Sequence, residues 1–338
     1  YGIFEEEVVK TFVDKLRAGI DTPNYPQLRD MNEMFFDFIQ GVEKTSEGYI
    51  AIRTPTAKSG ATIPEVDVLR RNASRIADLA EVERVRIKAC VTGPYTLASF
   101  FKTRDARLFE DLGEIIAEIV SRTLFDSKKA EISLLFVDEP VFGFLNDPLL
   151  DYGSEGRKAL QRAWETIFQA AFARRVRTGI HLHDTSDNLF WEIKNLDIVE
   201  SHVNDPLYTS ESTKRRLRET DKYLKASISV TIFDHLISNK LVGLGTVGNL
   251  QQQVGETWTG IRRGLVDPFT FLEEQKLMLS RLRSIVERFG SEIVRFAGPE
   301  CGLWSFPSYE CAVDCLRRIS GAIAMYNEES KERKDDNL

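Results

Sequence analysis

The chain has 338 residues, of which 42% are hydrophobic and 29% are charged, a composition typical of a globular protein. No run approaches the ~18 consecutive apolar residues of a membrane span, so the sequence predicts no transmembrane segment. Lys and Arg number 45 against 52 Asp and Glu, a formal net charge of −7 that argues against a nucleic-acid binder. The length allows two domains or one large α/β barrel.

The numbers and positions of the cysteines and histidines bear on the cellular compartment and on a candidate site. The four cysteines are too few for a disulfide framework in a chain of this length. No basic and apolar leader precedes Glu5, so we expect a cytoplasmic protein. All four histidines lie between His181 and His235, and this clustering is the first unusual feature.

Short apolar runs alternate with longer segments of helical period. The predicted strands are Tyr49–Thr54, Val85–Val91, Ile132–Asp138, Val176–Leu182, Leu196–His202, Leu241–Val247 and Ile293–Ala297. The predicted helices cover residues 3–18, 28–40, 64–82, 105–129, 154–174, 268–289 and 307–326. Such alternation implies parallel βαβ units, and the first strand is not followed by GxGxxG. The pattern therefore favours an α/β fold of the (β/α)8 TIM-barrel class over a dinucleotide-binding sheet, with 49–54 either a barrel strand or a side hairpin.

The ends of the predicted strands carry polar residues. A barrel places its chemistry where strands end, so these residues are the candidates for a site. In chain order they are Thr92, Asp138, His181, His183, Glu200, His202 and Cys301. Their order along the chain predicts one barrel domain over 1–326. The remaining residues, 327–338, are polar and charged, and we expect a frayed tail.

The His181-x-His183 spacing points to a metal site. Residues i and i+2 of a strand face the same side, so two imidazoles there can ligate one ion. Glu200 or His202, together with Cys301, would complete a nitrogen- and sulfur-rich set that suits zinc. The alternative is that both histidines are merely hydrogen-bonded loop residues.

Asp138 and Glu139 follow the apolar run from Ile132. We expect Asp138 to bind a substrate amine or to act as a base, with a helix N-cap as the alternative. Glu139 points to the opposite side of the strand and is expected to be structural.

Three motifs carry a resemblance to a known family. Thr92-Gly93-Pro94-Tyr95-Thr96-Leu97, Val137-Asp138-Glu139-Pro140 and Pro299-Glu300-Cys301-Gly302-Leu303 resemble the catalytic barrel of cobalamin-independent methionine synthase. Its relatives include uroporphyrinogen decarboxylase and methylcobalamin:coenzyme M methyltransferases. The segments Gly19–Asp21 and Gln27–Met31 resemble the short archaeal form. The family's first strand has no counterpart in this sequence, which begins at Tyr1, so we expect a barrel that lacks this strand.

The resemblance implies a metal site at the strand ends. The family holds zinc with a His-x-Cys pair, an acidic residue and the Cys of a PDCGL-like turn. His181 matches the histidine and Cys301 matches the late cysteine, whereas His183 stands where the family has cysteine. The acidic position falls nearest His202, with Glu200 two residues earlier. Such a nitrogen-rich site would suit zinc, and also iron, nickel or copper.

The resemblance also implies a substrate site and one departure. Residues expected to contact substrate are Gln27, Arg29, Thr92, Phe100 and Asp138.

The family has an Asp-x-His-Ser turn whose histidine helps with proton transfer. The corresponding segment, Gly245–Gln251, contains neither histidine nor an acidic residue.

The function implied is metal-dependent methyl transfer from a methylated corrinoid or folate to a thiol such as homocysteine. Methylcobalamin or methyl-folate would be the co-substrate, and a corrinoid protein is a candidate partner. Three alternatives stay open. A decarboxylase of the uroporphyrinogen type would need an arginine pocket, for which Arg29 and Arg53 are available. A divergent homologue of the same barrel would carry out another alkyl transfer. A non-catalytic barrel subunit is the third alternative, and the missing histidine supports it.

Overall fold

The computed structural model describes residues 2–144, 146–245 and 248–335, which form two compact units. Unit 1 comprises residues 1–17, 21–201 and 205–223, and unit 2 comprises residues 18–20, 202–204 and 224–338. The single domain predicted over 1–326 stays a prediction. No helix of the described residues is both long enough and apolar enough to cross a membrane.

Unit 1 contains most of the regular elements. Its helices are α1 (Gly2–Arg17), α2 (Glu33–Phe36), α3 (Pro64–Arg71), α4 (Ala73–Ala80), α5 (Pro94–Ala98), α6 (Ala106–Thr123), α7 (Glu155–Phe172) and α8 (Glu211–Glu219). Its strands are β1 (Ile39–Thr45), β2 (Gly48–Ala57), β3 (Val85–Thr92), β4 (Ala130–Glu139), β5 (Arg177–Leu182) and β6 (Ile198–Glu200). Short 3-10 helices cover Pro148–Leu150, Leu189–Glu192 and Pro206–Tyr208.

Unit 2 holds the later elements. They are β7 (Tyr223–Ser229, in unit 2 from Leu224), α9 (Phe233–Gly243), α10 (Leu250–Arg262), a 3-10 helix (Pro268–Phe271), α11 (Gln275–Phe289), β8 (Val294–Pro299) and α12 (Tyr309–Asp335).

The sheets confirm the α/β class with parallel strands. In unit 1, β3, β4, β5 and β6 pair in parallel and in chain order. In unit 2, β7 pairs in parallel with β8. The strand predicted at 49–54 is part of an antiparallel hairpin of β1 and β2, which is the side-hairpin alternative. The described residues thus contain six parallel strands, two fewer than a complete eight-stranded barrel.

Helix α6 shows how the sequence specifies these elements. Asp105 caps its start, because its carboxylate accepts a hydrogen bond from the backbone N–H of Leu108 at 2.8 Å. Leu108, Leu112, Ile115 and Ile119 recur at helical spacing, and all four are buried.

The strand predicted at 241–247 is wrong in its described part. Residues 241–243 are the last turn of α9, while 246 and 247 lie outside the described residues. Phe233, Leu236 and Ile237 are buried at the i, i+3 and i+4 spacing of a helix, and they fix this segment as helical. The apolar run was misleading because Val242 is 63% exposed.

Two strands were missed. β7 escaped because its Lys225, Ser227 and Ser229 dilute the apolar run, although Leu224, Ala226 and Ile228 alternate with them as a strand should. β1 lies partly in the helix predicted at 28–40, of which only α2 is helical.

The prediction of a frayed tail is wrong for residues 327–335, which continue α12. The segment is polar as expected. Arg283 of α11 donates a hydrogen bond to Glu329 at 2.9 Å. This ion pair with a neighbouring helix supports the end of α12, where apolar side chains do not.

Candidate metal and substrate site

A row of four polar residues crosses the carboxyl ends of β3 to β6. The register pairs Thr92 of β3 with Asp138 of β4. It also pairs Asp138 with His181 of β5, and His181 with Glu200 of β6. Residues paired across parallel strands present their side chains to the same face, so the four side chains lie on one face at one level.

His181 and His183 stand next to each other at the end of β5, as their spacing predicts. Their ring centroids are 5.1 Å apart and the rings are nearly perpendicular. His181 is buried and His183 is half-buried, with the ring of Phe144 edge-on at 6.4 Å from that of His183. Two imidazoles are therefore available at one point of this face.

Glu200 interacts with two side chains of unit 1. Its Oε1 lies 3.2 Å from Nδ1 of His181 and accepts a hydrogen bond from Nζ of Lys88 at 3.3 Å. The Glu200 side chain is only 3% exposed. Its carboxylate therefore backs the imidazole of His181.

His202 and Cys301 belong to two loops of unit 2 that one buried carboxylate joins. Glu300 accepts hydrogen bonds from the backbone N–H groups of Val203 at 2.9 Å and Thr231 at 2.8 Å. Val203 follows His202 and Glu300 precedes Cys301, so both candidate ligands adjoin this link. Both are half-buried, and Cys301 is not part of a disulfide. Sequence reasoning missed this role of Glu300.

Glu139 is structural, as predicted. Its carboxylate accepts hydrogen bonds from the backbone N–H groups of Tyr95 and Thr96, the Thr96 hydroxyl and the indole of Trp164, at 2.6–3.0 Å. Burial raises the pKa of Glu139 to about 7, against the opposing effect of these hydrogen bonds. A Cβ at Gly93 would lie 2.2 Å from this carboxyl group, which explains the glycine of the turn.

Arg29 is engaged within the protein. Its guanidinium donates two hydrogen bonds of 2.9 Å to Glu65, which is fully buried, and lies 5.8 Å from the centroid of the Phe38 ring. Two of its five N–H groups are thus used by Glu65, and this leaves less of the fork for a substrate carboxylate.

The other residues expected to contact substrate differ in exposure. Thr92 donates a hydrogen bond of 2.6 Å to the carbonyl of Met31 and is buried. Gln27 and Asp138 are half-buried, and Phe100 is 39% exposed. The substrate-binding and ligand roles of all these residues stay predictions.

The remaining cysteines are core residues. Cys90, Cys311 and Cys315 are buried free thiols, as expected of apolar packing. Burial raises the pKa of Cys311 and Cys315 to about 12, so both are protonated at neutral pH.

Comparison with known proteins identifies the family. Residues 4–235 match the family model described as the catalytic domain of cobalamin-independent synthase. The chain belongs to this family. The matched residues include His181, His183, Glu200 and His202 and end before Cys301. The resemblance drawn from the three motifs is confirmed.

Two individual proteins show how far the likeness reaches. The chain is 23% identical over 337 residues to a 5-methyltetrahydropteroyltriglutamate–homocysteine methyltransferase of Parvibaculum lavamentivorans, covering 94% of this chain. The chain spans only 38% of the length of that relative. A B12-independent methionine synthase from Shewanella sp. W3-18-1, solved in complex with selenomethionine, aligns with a TM-score of 0.63 and 14% identity. That alignment covers 97% of this chain and 89% of the other. The structural likeness confirms the predicted fold class.

Proposed function

We propose that this chain transfers a methyl group from 5-methyltetrahydropteroylglutamate to the thiol of homocysteine. The proposal is carried by one observation, the adjacent His181 and His183 at the end of β5, inside the residues that match the family. The folate donor replaces the corrinoid as first choice because the family is cobalamin-independent. The homologous methyltransferase named above takes the same class of donor.

The proposed metal site consists of His181, His183, His202 and Cys301. The fit rests on donor chemistry, since three imidazoles and one thiolate are ligands that zinc takes in tetrahedral sites. Glu200, beside His181, stands two residues before His202, and the Val203–Glu300 hydrogen bond joins the residues next to His202 and Cys301.

The chemistry follows from the thiol. A free thiol has a pKa near ~8.5 and is a weak nucleophile at neutral pH. Zinc held by these residues would bind the acceptor as a thiolate, either as an added ligand or in place of one of the four. The sulfur lone pair forms the new S–CH3 bond while the N–CH3 bond of the donor breaks, and the nitrogen keeps the bonding electrons and takes up a proton.

Asp138 is the proposed ligand of the acceptor's ammonium group. It stands between Thr92 and His181 in the row, and it is half-buried. A carboxylate beside the thiol site pairs with the one cationic group of homocysteine and orients the sulfur.

The test is metal analysis followed by an activity assay. We expect about one zinc per chain and methionine formation from methyl-folate. His181→Ala and Cys301→Ala should lose both, whereas His235→Ala, at an exposed position, should retain both. A metal-free wild-type protein that transfers no methyl group would overturn the proposal. Transfer from methylcobalamin alone would overturn the choice of donor.

A second candidate is a metal-binding subunit that does not turn over. It is favoured by the segment Gly245–Gln251, which lacks the family's histidine. Stoichiometric zinc without methyl transfer would identify it. The decarboxylase alternative loses support because the guanidinium of Arg29 is engaged by Glu65.

A further inference from the structure

Lys88 places a cation on the face of the unit 1 sheet that carries the polar row. It lies on β3 four residues before Thr92, so its side chain shares the face of the polar row. It is 18% exposed, and its ammonium reaches Glu200 of β6 at 3.3 Å. In the sheet, β4 and β5 lie between these two strands, so the side chains of Lys88 and Glu200 meet over the strands that separate them.

Residues of the neighbouring strands contact or make room for the Lys88 side chain. The ammonium lies 3.7 Å from the centroid of the Phe136 ring on β4, within the range of a cation–π contact. Gly179 of β5 is paired in register with Phe136, and a Cβ there would lie 2.4 Å from the ring. The glycine therefore leaves room for the ring that supports Lys88.

The opposite charges of Lys88 and Glu200 stabilise their contact. A buried ammonium is unfavourable unless an opposite charge accompanies it. Burial lowers the pKa of Lys88, but the attraction of Glu200 and of its other acidic neighbours outweighs burial and raises it above the usual value. Lys88 thus remains an ammonium, and Oε1 of Glu200 is held between it and Nδ1 of His181.

We propose that Lys88 is a positioning residue for the metal site: it fixes the Glu200 carboxylate against Nδ1 of His181, so that Nε2 faces the metal. The inference rests on the proposed function, which makes His181 a ligand. A carboxylate against one ring nitrogen selects the tautomer that carries the proton there and leaves the other nitrogen free to ligate.

The first test is zinc affinity, measured by competition with a chelating dye. Lys88→Met should weaken zinc binding by about 10- to 100-fold, the usual effect of removing an outer-shell partner. Lys88→Arg keeps the charge and should lie closer to wild type. The matched control is Lys222→Met, which removes a lysine that is only 2% exposed and donates to the carbonyl of Ile193. The control should bind zinc as wild type does, and wild-type affinity in Lys88→Met would overturn the proposal.

A double variant separates positioning from a general structural role. If Lys88 acts through Glu200, Lys88→Met combined with Glu200→Gln should bind zinc no more weakly than Glu200→Gln alone. Losses that multiply would show that Lys88 acts by another route and would overturn the proposal.

A metal-free measurement distinguishes this inference from the proposed function. With only four histidines, 15N-histidine labelling resolves the tautomer of His181 by NMR. The proposal predicts Nδ1–H in the wild-type apoprotein and a mixture of tautomers in Lys88→Met. An unchanged tautomer contradicts the inference whether or not zinc binds. A shifted tautomer in a protein that takes up no zinc would instead reject the proposed function.

Discussion

The carboxyl ends of β4 to β6 and the segment from α9 to α10 contrast sharply. In the first region, Asp138, His181 and Glu200 follow apolar runs and meet in one register row. In the second, an equally apolar run begins in the exposed last turn of α9, where Val242 is 63% exposed. An apolar run alone does not separate a buried strand from the end of a helix. Polar residues that terminate several successive runs carry more information, because only a parallel sheet brings them to one edge.

A second contrast exists between two neighbouring carboxyl groups on β4. Asp138 belongs to the row and is half-buried, whereas Glu139 points the opposite way. Glu139 accepts three hydrogen bonds from the start of α5 and a fourth from the indole of Trp164 on α7. Strand alternation therefore separates a candidate substrate ligand from a structural carboxyl group.

Glu139 is expected to make stability depend on pH. Its carboxyl group has an ordinary pKa of 4.5 when unfolded and about 7 when folded, so the folded state binds more protons between these values. The stabilisation is present below pH 4.5 and is lost as pH rises to 7, by on the order of 3 kcal/mol. Denaturation of wild type and Glu139→Gln from pH 4.5 to 7.5 tests this, because the variant should lack the slope. Equal slopes would contradict a buried, titrating Glu139.

Asp138→Asn is expected to lower kcat/KM for homocysteine by about 100-fold, the effect of removing one partner of a desolvated charge pair. The matched acceptor is 4-mercaptobutyrate, which keeps the thiol and carboxylate but lacks the amino group. Its rate should not change in the variant. An equal loss with both thiols would show that Asp138 does not bind the ammonium group.

Gly93→Ala is expected to destabilise the fold by about 2 kcal/mol, because its Cβ would meet the Glu139 carboxyl group. Gly255→Ala on α10 is the control from the contrasting region. Nothing lies within 4 Å of the Cβ it would add, so it should be neutral or slightly stabilising. Unfolding free energies from urea titrations compare the two, and equal effects would remove the packing argument.

Val242→Lys has the smallest expected effect, below about 0.5 kcal/mol, since an exposed position on a helix tolerates a charge. A buried strand at 241–247 would instead lose several kcal/mol by burying an unpaired charge. Thermal unfolding of the variant distinguishes the helix from the strand that the apolar run predicted.

The sequence predicted the positions of the row residues because each follows a local pattern, an apolar run ending in a polar side chain. It did not predict the roles of Lys88 and Glu300. Lys88 stands 112 residues from Glu200, and Glu300 stands 97 residues from Val203, so only the folded chain brings these partners together. β7 was missed for a local reason, since Lys225, Ser227 and Ser229 hide the alternation of Leu224, Ala226 and Ile228.

X-ray absorption at the zinc edge, without substrate, tests the proposed metal site most directly. The account predicts three nitrogen neighbours at about 2.0–2.1 Å and one sulfur neighbour at about 2.3 Å, the latter lost in Cys301→Ala. Two sulfur neighbours, or none, in the wild-type protein would contradict a site made of His181, His183, His202 and Cys301.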